Sequence, residues 1–296
     1  MRKILILGGT RFFGKRLVER LLQDSTNDVT VLTRGETADS FGDHVHRIHA
    51  DRFQPNELAQ AVGDTLWDVV YDNICYSPDE ADQARRIFDG KANRYILTSS
   101  LSVYDYSEEA LTEEIFDPET YPIRYGGRND FTYQEGKRLA EAVFIQQATF
   151  PVATVRFPIV LGTDDYTRRL HFHIEHVRNE LPIGIPNPEA KISFIRSDEA
   201  ADFLYWLGCC SFGTGPFNAC SDGTVKVKDV LTMIEKETEK QAILQSQTED
   251  EHMSPFGIEQ SWFMDTTKAQ SEGYKFLSLS DWLPELINAL NKTYEA

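Results

Sequence analysis

Hydrophobic positions in the first half of the chain alternate between short apolar runs and runs with helical spacing. The first apolar run, Ile4–Leu7, ends at two glycines, and apolar residues then recur at helical intervals from Phe13 to Leu22. Further strand-like runs follow at Asp28–Thr33, Val45–Ala50, Trp67–Tyr71, Arg94–Thr98 and Val152–Phe157. A helix is predicted over about 133–148. Strand–helix alternation of this kind predicts an α/β fold with a doubly wound parallel sheet.

The turn after the first predicted strand is rich in glycine. It comprises Gly8, Gly9, Thr10, Arg11, Phe12, Phe13 and Gly14. Glycine allows a tight turn and a close approach of main-chain N–H groups to a pyrophosphate, and the helix that follows presents its positive end to that anion. Because the turn follows the first strand of an alternating chain, these residues are predicted to form a Rossmann-type dinucleotide site.

The end of the second predicted strand bears on the choice of cofactor. NAD-binding sites usually place a carboxylate there for the ribose 2′-hydroxyl, whereas an arginine accommodates a 2′-phosphate. Here Arg34 follows the strand and Arg11 adds a second positive charge, so we expect NAD(P) with a preference for NADP. The alternative is that both are solvated turn residues. Asp51 is a candidate for the adenine amino group or a loop cap, and Asn73 for the nicotinamide side or for loop backbone groups.

Tyr133 and Lys137 are four residues apart on a predicted helix, so they lie on one face. A tyrosine hydroxyl is a poor base at neutral pH because its ordinary pKa is about 10, but a nearby cation stabilises the phenolate. The pair is therefore a candidate acid/base unit for interconverting an alcohol and a carbonyl. Ser100 follows the fifth predicted strand, at the edge where such sheets bind ligands, and is a candidate donor to the substrate oxygen. The alternatives are a surface helix pair and a serine-rich turn.

Regular alternation ends at about residue 162, and three prolines between positions 182 and 188 break the chain. We expect a dinucleotide-binding Rossmann domain over 1–161. The region over 162–296 is expected to be smaller, mixed α/β and mainly substrate-binding. A segment near 190–220 contains the strand-like Phe217-Asn218-Ala219 and is predicted to return to the main sheet.

Arginines in the second half are candidates for binding a phosphate or carboxylate of the substrate. They are Arg168, Arg169 and Arg196. For Arg196 the alternative is an ion pair with a neighbouring carboxylate. Histidines occur at 171, 173 and 176, but their spacing is not that of an H-E-x-x-H helix and no thiolate accompanies them. No metal site is therefore predicted.

The composition bears on partners and compartment. The 296 residues include 47 acidic and 30 basic ones, and the formal net charge of −17 disfavours nucleic acid and anionic membranes as partners. No apolar run reaches the ~20 residues of a membrane helix. The N-terminus lacks the pattern of a signal peptide, and the four cysteines show no C-x-x-C spacing. We expect a cytoplasmic protein whose partner is a small-molecule substrate, and the arginines favour a phosphorylated one.

Four motifs occur in the order found in one enzyme family. They are the glycine turn, Ser99-Ser100-Leu101-Ser102-Val103-Tyr104, Tyr133-x-x-x-Lys137 and Arg156-Phe157-Pro158-x-x-x-Gly162. Together with the stretch Phe194–Ala201, this order resembles the extended short-chain dehydrogenases/reductases of the NAD-dependent epimerase/dehydratase family. The form Gly-Gly-Thr-Arg-Phe, with Arg11 in place of the family's central glycine, is similar to an atypical branch that includes chloroplast stem-loop-binding proteins.

The resemblance implies an oxidoreductase or epimerase that acts by tyrosine-assisted hydride transfer on a sugar nucleotide or a related alcohol or ketone. Tyr133 is then the acid/base, Lys137 also binds the nicotinamide ribose, and Ser100 takes the family's Ser/Thr role. Leu101-Ser102 replace the Asp-Glu pair of the family's dehydratases, so dehydration is not expected. The resemblance also suggests a homodimer. The atypical branch implies the alternative, a dinucleotide-binding regulator or RNA-binding protein without catalysis.

Overall fold

A computed structural model describes residues 1–210 and 213–294. The chain forms two compact units. The first unit contains Met1–Tyr104, Glu113–Phe157 and Ala200–Ala219, and the second contains Asp105–Thr112, Pro158–Glu199 and the chain from Cys220 onward. The main change from one unit to the other therefore follows Phe157. The hydrophobic pattern does not indicate that the short segment 105–112 belongs to the second unit.

The secondary structure consists of short strands and helices of moderate length. The strands are β1 (Arg2–Leu7), β2 (Asn27–Thr33), β3 (His46–His49), β4 (Val69–Asp72), β5 (Tyr95–Ser100), β6 (Val152–Phe157), β7 (Ile159–Leu161), β8 (Pro182–Gly184), β9 (Lys191–Ile192), β10 (Phe194–Arg196), β11 (Gly215–Asn218), β12 (Val225–Lys226) and β13 (Ile243–Gln245). The α-helices are α1 (Phe12–Leu21), α2 (Pro55–Val62), α3 (Pro78–Ile87), α4 (Tyr133–Gln147), α5 (Arg169–Arg178), α6 (Ser197–Cys209), α7 (Val227–Thr238), α8 (Thr267–Ser271) and α9 (Leu279–Lys292).

A parallel sheet organises the first unit. Its seven strands lie in the order β11-β6-β5-β4-β1-β2-β3, and every neighbouring pair is parallel. The strand order reverses beside β1, because β2 lies on one side of it and β4 on the other. In doubly wound sheets ligands bind at the carboxyl ends of the strands beside such a reversal. The predicted Rossmann-type doubly wound sheet is confirmed.

The apolar runs become strands because the sheet is buried on both faces. Ile4, Leu5, Ile6 and Leu7 are fully buried in β1, which explains an apolar run without alternation. One core cluster of this unit joins Leu5 and Leu97 of the sheet to Val143 and Phe144 of α4, and so fixes that helix against the strands. The burial thus positions the helix that begins with Tyr133.

The second unit is built from short strand pairs and three longer helices. β10 pairs with β7, β12 with β9 and β13 with β8. Helices α5, α7 and α9 enclose a core that includes Ile174, Phe256 and Trp282. The hydrophobic pattern does not predict these strands, because runs of two or three residues are too short to show a period. None of the helices in the described part of the chain has the length and apolar character needed to cross a lipid bilayer.

Candidate active site

The glycine turn lies between β1 and α1, at the carboxyl end of β1. Gly8 has a φ of +83°, in the left-handed region that glycine adopts without steric cost. A Cβ at Gly14 would lie 2.4 Å from the carbonyl oxygen of Gly8, so glycine is needed for α1 to approach the turn this closely. The side chain of the N-cap residue Arg11 makes no capping hydrogen bond. The first N–H groups of a helix in such a position can bind an anion.

Asn73 and Asp51 follow β4 and β3 at the same edge of the sheet. Asn73 Nδ2 donates to the carbonyl oxygen of Gly8 at 3.2 Å, and its Oδ1 accepts from Thr98 Oγ1 at 2.7 Å. The amide thus connects the glycine turn to β4 and β5. Asp51 Oδ1 accepts from the N–H of Phe53 at 2.9 Å, so its carboxylate caps the loop after β3.

Arg11 and Arg34 lie after the neighbouring strands β1 and β2. Arg11 donates to Thr37 Oγ1 from Nε at 3.2 Å and from Nη2 at 3.0 Å. Arg34 pairs with Glu36 at 2.7 Å, and both side chains are exposed. An exposed ion pair of this kind contributes little free energy.

Helix α4 begins at Tyr133 because Thr132 caps it. Thr132 Oγ1 accepts from the N–H of Glu135 at 3.2 Å. Tyr133 is 54% exposed, whereas Lys137, one turn further along, is 2% exposed. Lys137 Nζ lies 5.9 Å from the centroid of the Tyr133 ring. The structure therefore places a buried ammonium group behind an accessible phenol.

Lys137 also connects α4 to β5, the strand that ends at Ser100. Lys137 Nζ donates to the carbonyl oxygens of Cys75 at 2.7 Å and Thr98 at 2.8 Å. Ser100 is half-buried, and its Oγ accepts from the N–H of Ser102 at 3.1 Å. A hydroxyl group that accepts one hydrogen bond can still donate its own hydrogen. Ser100, Tyr133 and Lys137 are thus held by adjoining elements of the first unit.

The three candidate arginines, Arg168, Arg169 and Arg196, all lie in the second unit and have different surroundings. Arg168 is exposed and donates to the carboxylate of Glu175 and, at 3.1 Å, to Tyr294 Oη. Arg196 donates to both carboxylate oxygens of Asp198, at 2.6 and 2.8 Å. This ion pair is the alternative expected for Arg196. Arg169 is the first residue of α5 and is partly exposed.

His173 and His176 of α5 are held by other protein groups. His173 Nδ1 lies 2.8 Å from the carbonyl oxygen of Arg169, and its Nε2 lies 2.6 Å from Ser254 Oγ. Burial disfavours the charged ring and lowers the pKa of His173 to about 3. His176 Nε2 lies 3.1 Å from His252 Nδ1, and burial also lowers the pKa of His176. The rings of His173 and His176 are therefore oriented mainly by packing and hydrogen bonds.

The sequence pattern of the family described as "NAD dependent epimerase/dehydratase family" matches residues 4–207, more than half of the chain. The chain belongs to this epimerase/dehydratase family. The match covers the glycine turn, the end of β5 and the whole of α4. It therefore includes the elements that carry Ser100, Tyr133 and Lys137.

Known proteins similar to this family member include one curated relative and many solved structures. The relative is the chloroplast stem-loop binding protein of 41 kDa b of Arabidopsis thaliana, 27% identical over 226 residues that cover 70% of this chain and 55% of the relative. This chain thus spans about half the length of that relative.

Solved structures are similar over almost the whole chain. UDP-glucuronic acid 4-epimerase from Bacillus cereus, in complex with UDP-glucuronic acid and NAD, has a TM-score of 0.74 at 18% identity and covers 99% of this chain and 100% of its own. dTDP-glucose 4,6-dehydratase from Bacillus anthracis, in complex with NAD, has a TM-score of 0.76 at 14% identity, with coverages of 100% and 98%. At these identities the likeness shows the fold.

The sequence does not indicate a buried ionic group that lies at the carboxyl end of β4. Asp72, the last residue of β4, pairs with Arg52 and accepts from Tyr95 Oη at 2.6 Å, and all three side chains are buried. Burial holds the pKa of Tyr95 well above its usual value. A carboxylate that ends a buried apolar strand is the signal that could have indicated such a partner. Nearby, burial raises the pKa of the Cys75 thiol to about 12, so it remains protonated.

Proposed function

We propose that this protein transfers hydride between a substrate carbon and a nicotinamide cofactor, with Tyr133 exchanging the hydroxyl proton. The observation that carries the proposal is the accessible Tyr133 phenol with the Lys137 ammonium behind it, on a helix packed against a Rossmann sheet. The glycine turn and the N-terminus of α1 supply main-chain donors for a dinucleotide pyrophosphate.

Each residue has one role in the proposed step. A bound oxidised nicotinamide cofactor, held by the glycine turn and the N-terminus of α1, would supply the acceptor for a hydride from the carbinol carbon. The Tyr133 phenolate takes the hydroxyl proton of the same substrate, so an alcohol becomes a carbonyl and the tyrosine becomes neutral. The Lys137 ammonium, 5.9 Å from the centroid of the Tyr133 ring, is proposed to supply a positive charge that complements the tyrosine during the transfer. Ser100 donates a hydrogen bond to the substrate oxygen and orients it. The reverse step returns hydride and proton.

The cofactor is proposed to be NAD(P), with a preference for NADP. Arg11 and Arg34 follow adjoining parallel strands, and their guanidinium groups match a 2′-phosphate. Glu36 competes for Arg34, so binding replaces the carboxylate by the phosphate. Asp51 is proposed to contact the adenine of the dinucleotide, and Asn73 is proposed to contact its nicotinamide side. The preference predicts a smaller dissociation constant for NADPH than for NADH, and tighter binding of NADH would contradict it.

The substrate is proposed to be a sugar nucleotide or a related alcohol or ketone. The family and the sugar-nucleotide enzymes among the similar structures support this class. The second unit is proposed to bind substrate through Arg168, Arg169 or Arg196, whose guanidinium groups suit phosphate oxygens.

A second candidate is a dinucleotide-binding regulator or an RNA-binding protein without catalysis. The observation that favours it is the 27% identity to a chloroplast stem-loop binding protein. The presence of Ser100, Tyr133 and Lys137 and the net charge of −17 favour the enzyme.

The experiment compares wild type with Tyr133→Phe. Each protein is incubated with NAD⁺ or NADP⁺ and UDP-glucuronic acid, UDP-glucose or UDP-N-acetylglucosamine, and products and nicotinamide absorbance are followed. We expect Tyr133→Phe to lower turnover by about 10²–10⁴-fold, because the proton acceptor is lost. The cofactor dissociation constant should change little. Tyr125→Phe, which alters another exposed tyrosine of the same unit, is the control. Undiminished turnover in Tyr133→Phe would refute the mechanism.

A further inference from the structure

One aromatic ring contacts both members of the catalytic pair. The ring of Tyr76 lies 6.1 Å, centroid to centroid, from that of Tyr133, and the two planes are inclined by 46°. The same ring lies 4.4 Å from Lys137 Nζ. Tyr76 belongs to the loop between β4 and α3, and no motif of the sequence indicates a role for it.

The Lys137 ammonium is held by main-chain carbonyls and aromatic rings. Its two hydrogen bonds are to the carbonyl oxygens of Cys75 and Thr98. The rings of Tyr76 and Tyr133 lie at 4.4 and 5.9 Å. A buried cation must replace its lost hydration, and carbonyl dipoles together with the π face of a close ring provide that replacement. The Tyr76 ring is therefore part of what stabilises the ammonium in its buried position.

The loop that carries Tyr76 is held firmly against α4 and α3. A Cβ at Gly136 would lie 2.4 Å from the carbonyl oxygen of Tyr76, so the absence of a side chain there lets the loop rest on α4. The N–H of Tyr76 donates to Glu80 Oε2 at 2.8 Å, and Glu80 also pairs with Arg128. The guanidinium of Arg128 lies 4.2 Å from the centroid of the Tyr76 ring. The ring position is thus determined by backbone, ionic and aromatic contacts together.

We infer that Tyr76 is a positioning residue, which keeps the Lys137 ammonium desolvated and directed behind Tyr133. The inference rests on the proposed function for its catalytic consequence. The π face and packing of the ring provide the effect, so a phenylalanine can replace Tyr76. A side chain of similar bulk without a π face cannot, because it packs against the ammonium but does not stabilise its charge.

The test compares Tyr76→Met, Tyr76→Phe and Tyr125→Leu with wild type. The first readout is acetylation of Lys137 by N-hydroxysuccinimidyl acetate, followed by peptide mass spectrometry, which needs neither cofactor nor substrate. We expect the acetylation rate in Tyr76→Met to rise about tenfold, as loss of roughly one strong cation–π contact predicts. Tyr76→Phe and the control Tyr125→Leu should label like wild type.

The second readout is turnover in the UDP-sugar assay. We expect kcat of Tyr76→Met to fall about tenfold with a smaller change in KM, because the ammonium acts on the reacting tyrosine, and Tyr76→Phe should restore it. Unchanged labelling and kcat in folded Tyr76→Met would overturn the inference. If that variant does not fold, Tyr76→Leu is judged by the same criteria. A wild type without turnover overturns the proposed function, while the labelling rates still decide the positioning role.

Discussion

The carboxyl group of Glu199, in the first turn of α6, is almost completely buried. Ser221 Oγ and the N–H of Leu277 donate to its two oxygens, and Trp282 Nε1 donates in turn to Ser221 Oγ at 3.1 Å. These hydrogen bonds favour the carboxylate, but burial outweighs them and raises the pKa of Glu199 to about 6 from 4.5. The folded second unit therefore retains this proton over a pH range in which an unfolded chain loses it.

The raised pKa predicts a pH dependence of stability. The contribution of Glu199 is fully present below pH 4.5 and is lost as the pH rises through about 6. A shift of this size corresponds to about 2 kcal/mol of unfolding free energy. Glu199→Gln cannot ionise, so we expect it to gain that amount relative to wild type between these pH values, measured by urea unfolding. Glu272→Gln, at an exposed glutamate of the same unit, is the control. Parallel pH curves for wild type and Glu199→Gln would contradict this assignment.

At the scale of elements, α4 is attached to the sheet by charged side chains in addition to apolar packing. Glu141 of α4 pairs with Arg156 of β6 at 2.7 Å, and neither side chain is exposed. Arg156 also donates to the carbonyl oxygens of Glu113 and Phe116, each at 3.0 Å. Glu141 lies one turn after Lys137 on the same face of α4, so this buried pair helps to hold the helix that carries Tyr133 and Lys137 against the sheet.

Breaking the buried pair should be costly. In Arg156→Met the Glu141 carboxylate remains buried without its cation, and we expect a loss of about 3–5 kcal/mol in unfolding free energy. The double variant Arg156→Met/Glu141→Leu should recover part of this loss, because no buried charge is left unpaired. Urea unfolding followed by circular dichroism measures both. A double variant that is less stable than Arg156→Met would show that the ion pair is not the reason for the loss.

At the scale of the whole molecule, the net charge separates the two candidate functions. A charge of −17 repels a phosphate backbone, whereas a dinucleotide requires only a few local cations and main-chain donors. Arg11 and Arg34 are proposed to be such local cations in an acidic protein. The charge therefore favours a small phosphorylated ligand over a polyanion.

The same charge predicts the outcome of a direct binding assay. At about 0.15 M salt, fluorescently labelled stem-loop RNA should show no binding in anisotropy measurements, while NADPH or NADH binds the same preparation. Lowering the salt should not produce tight RNA binding. Salt-sensitive RNA binding in a protein that turns over none of the UDP-sugars would favour the RNA-binding candidate.

Local patterns in the sequence are sufficient to predict those structural features of this protein that depend only on neighbouring residues. The apolar runs predict the strands of the sheet, the glycine turn predicts a close approach of backbone to anion, and the four-residue spacing places Tyr133 and Lys137 on one helix face. These features depend on the periods of a strand and a helix, which are properties of short segments. The family motifs lie in the same segments.

Only the tertiary structure decided which distant residues become partners. Tyr76 meets Lys137, Arg52 meets Asp72 and Glu141 meets Arg156 across intervals from 15 to 61 residues. The segment 105–112 belongs to the second unit, and this assignment also depends on contacts between residues that are distant in the sequence. Pairing over such distances depends on how helices and strands pack, and packing leaves no period in the sequence. The sequence by itself therefore determined the sheet and the candidate catalytic pair, whereas the contacts that hold the Lys137 ammonium were decided by the fold.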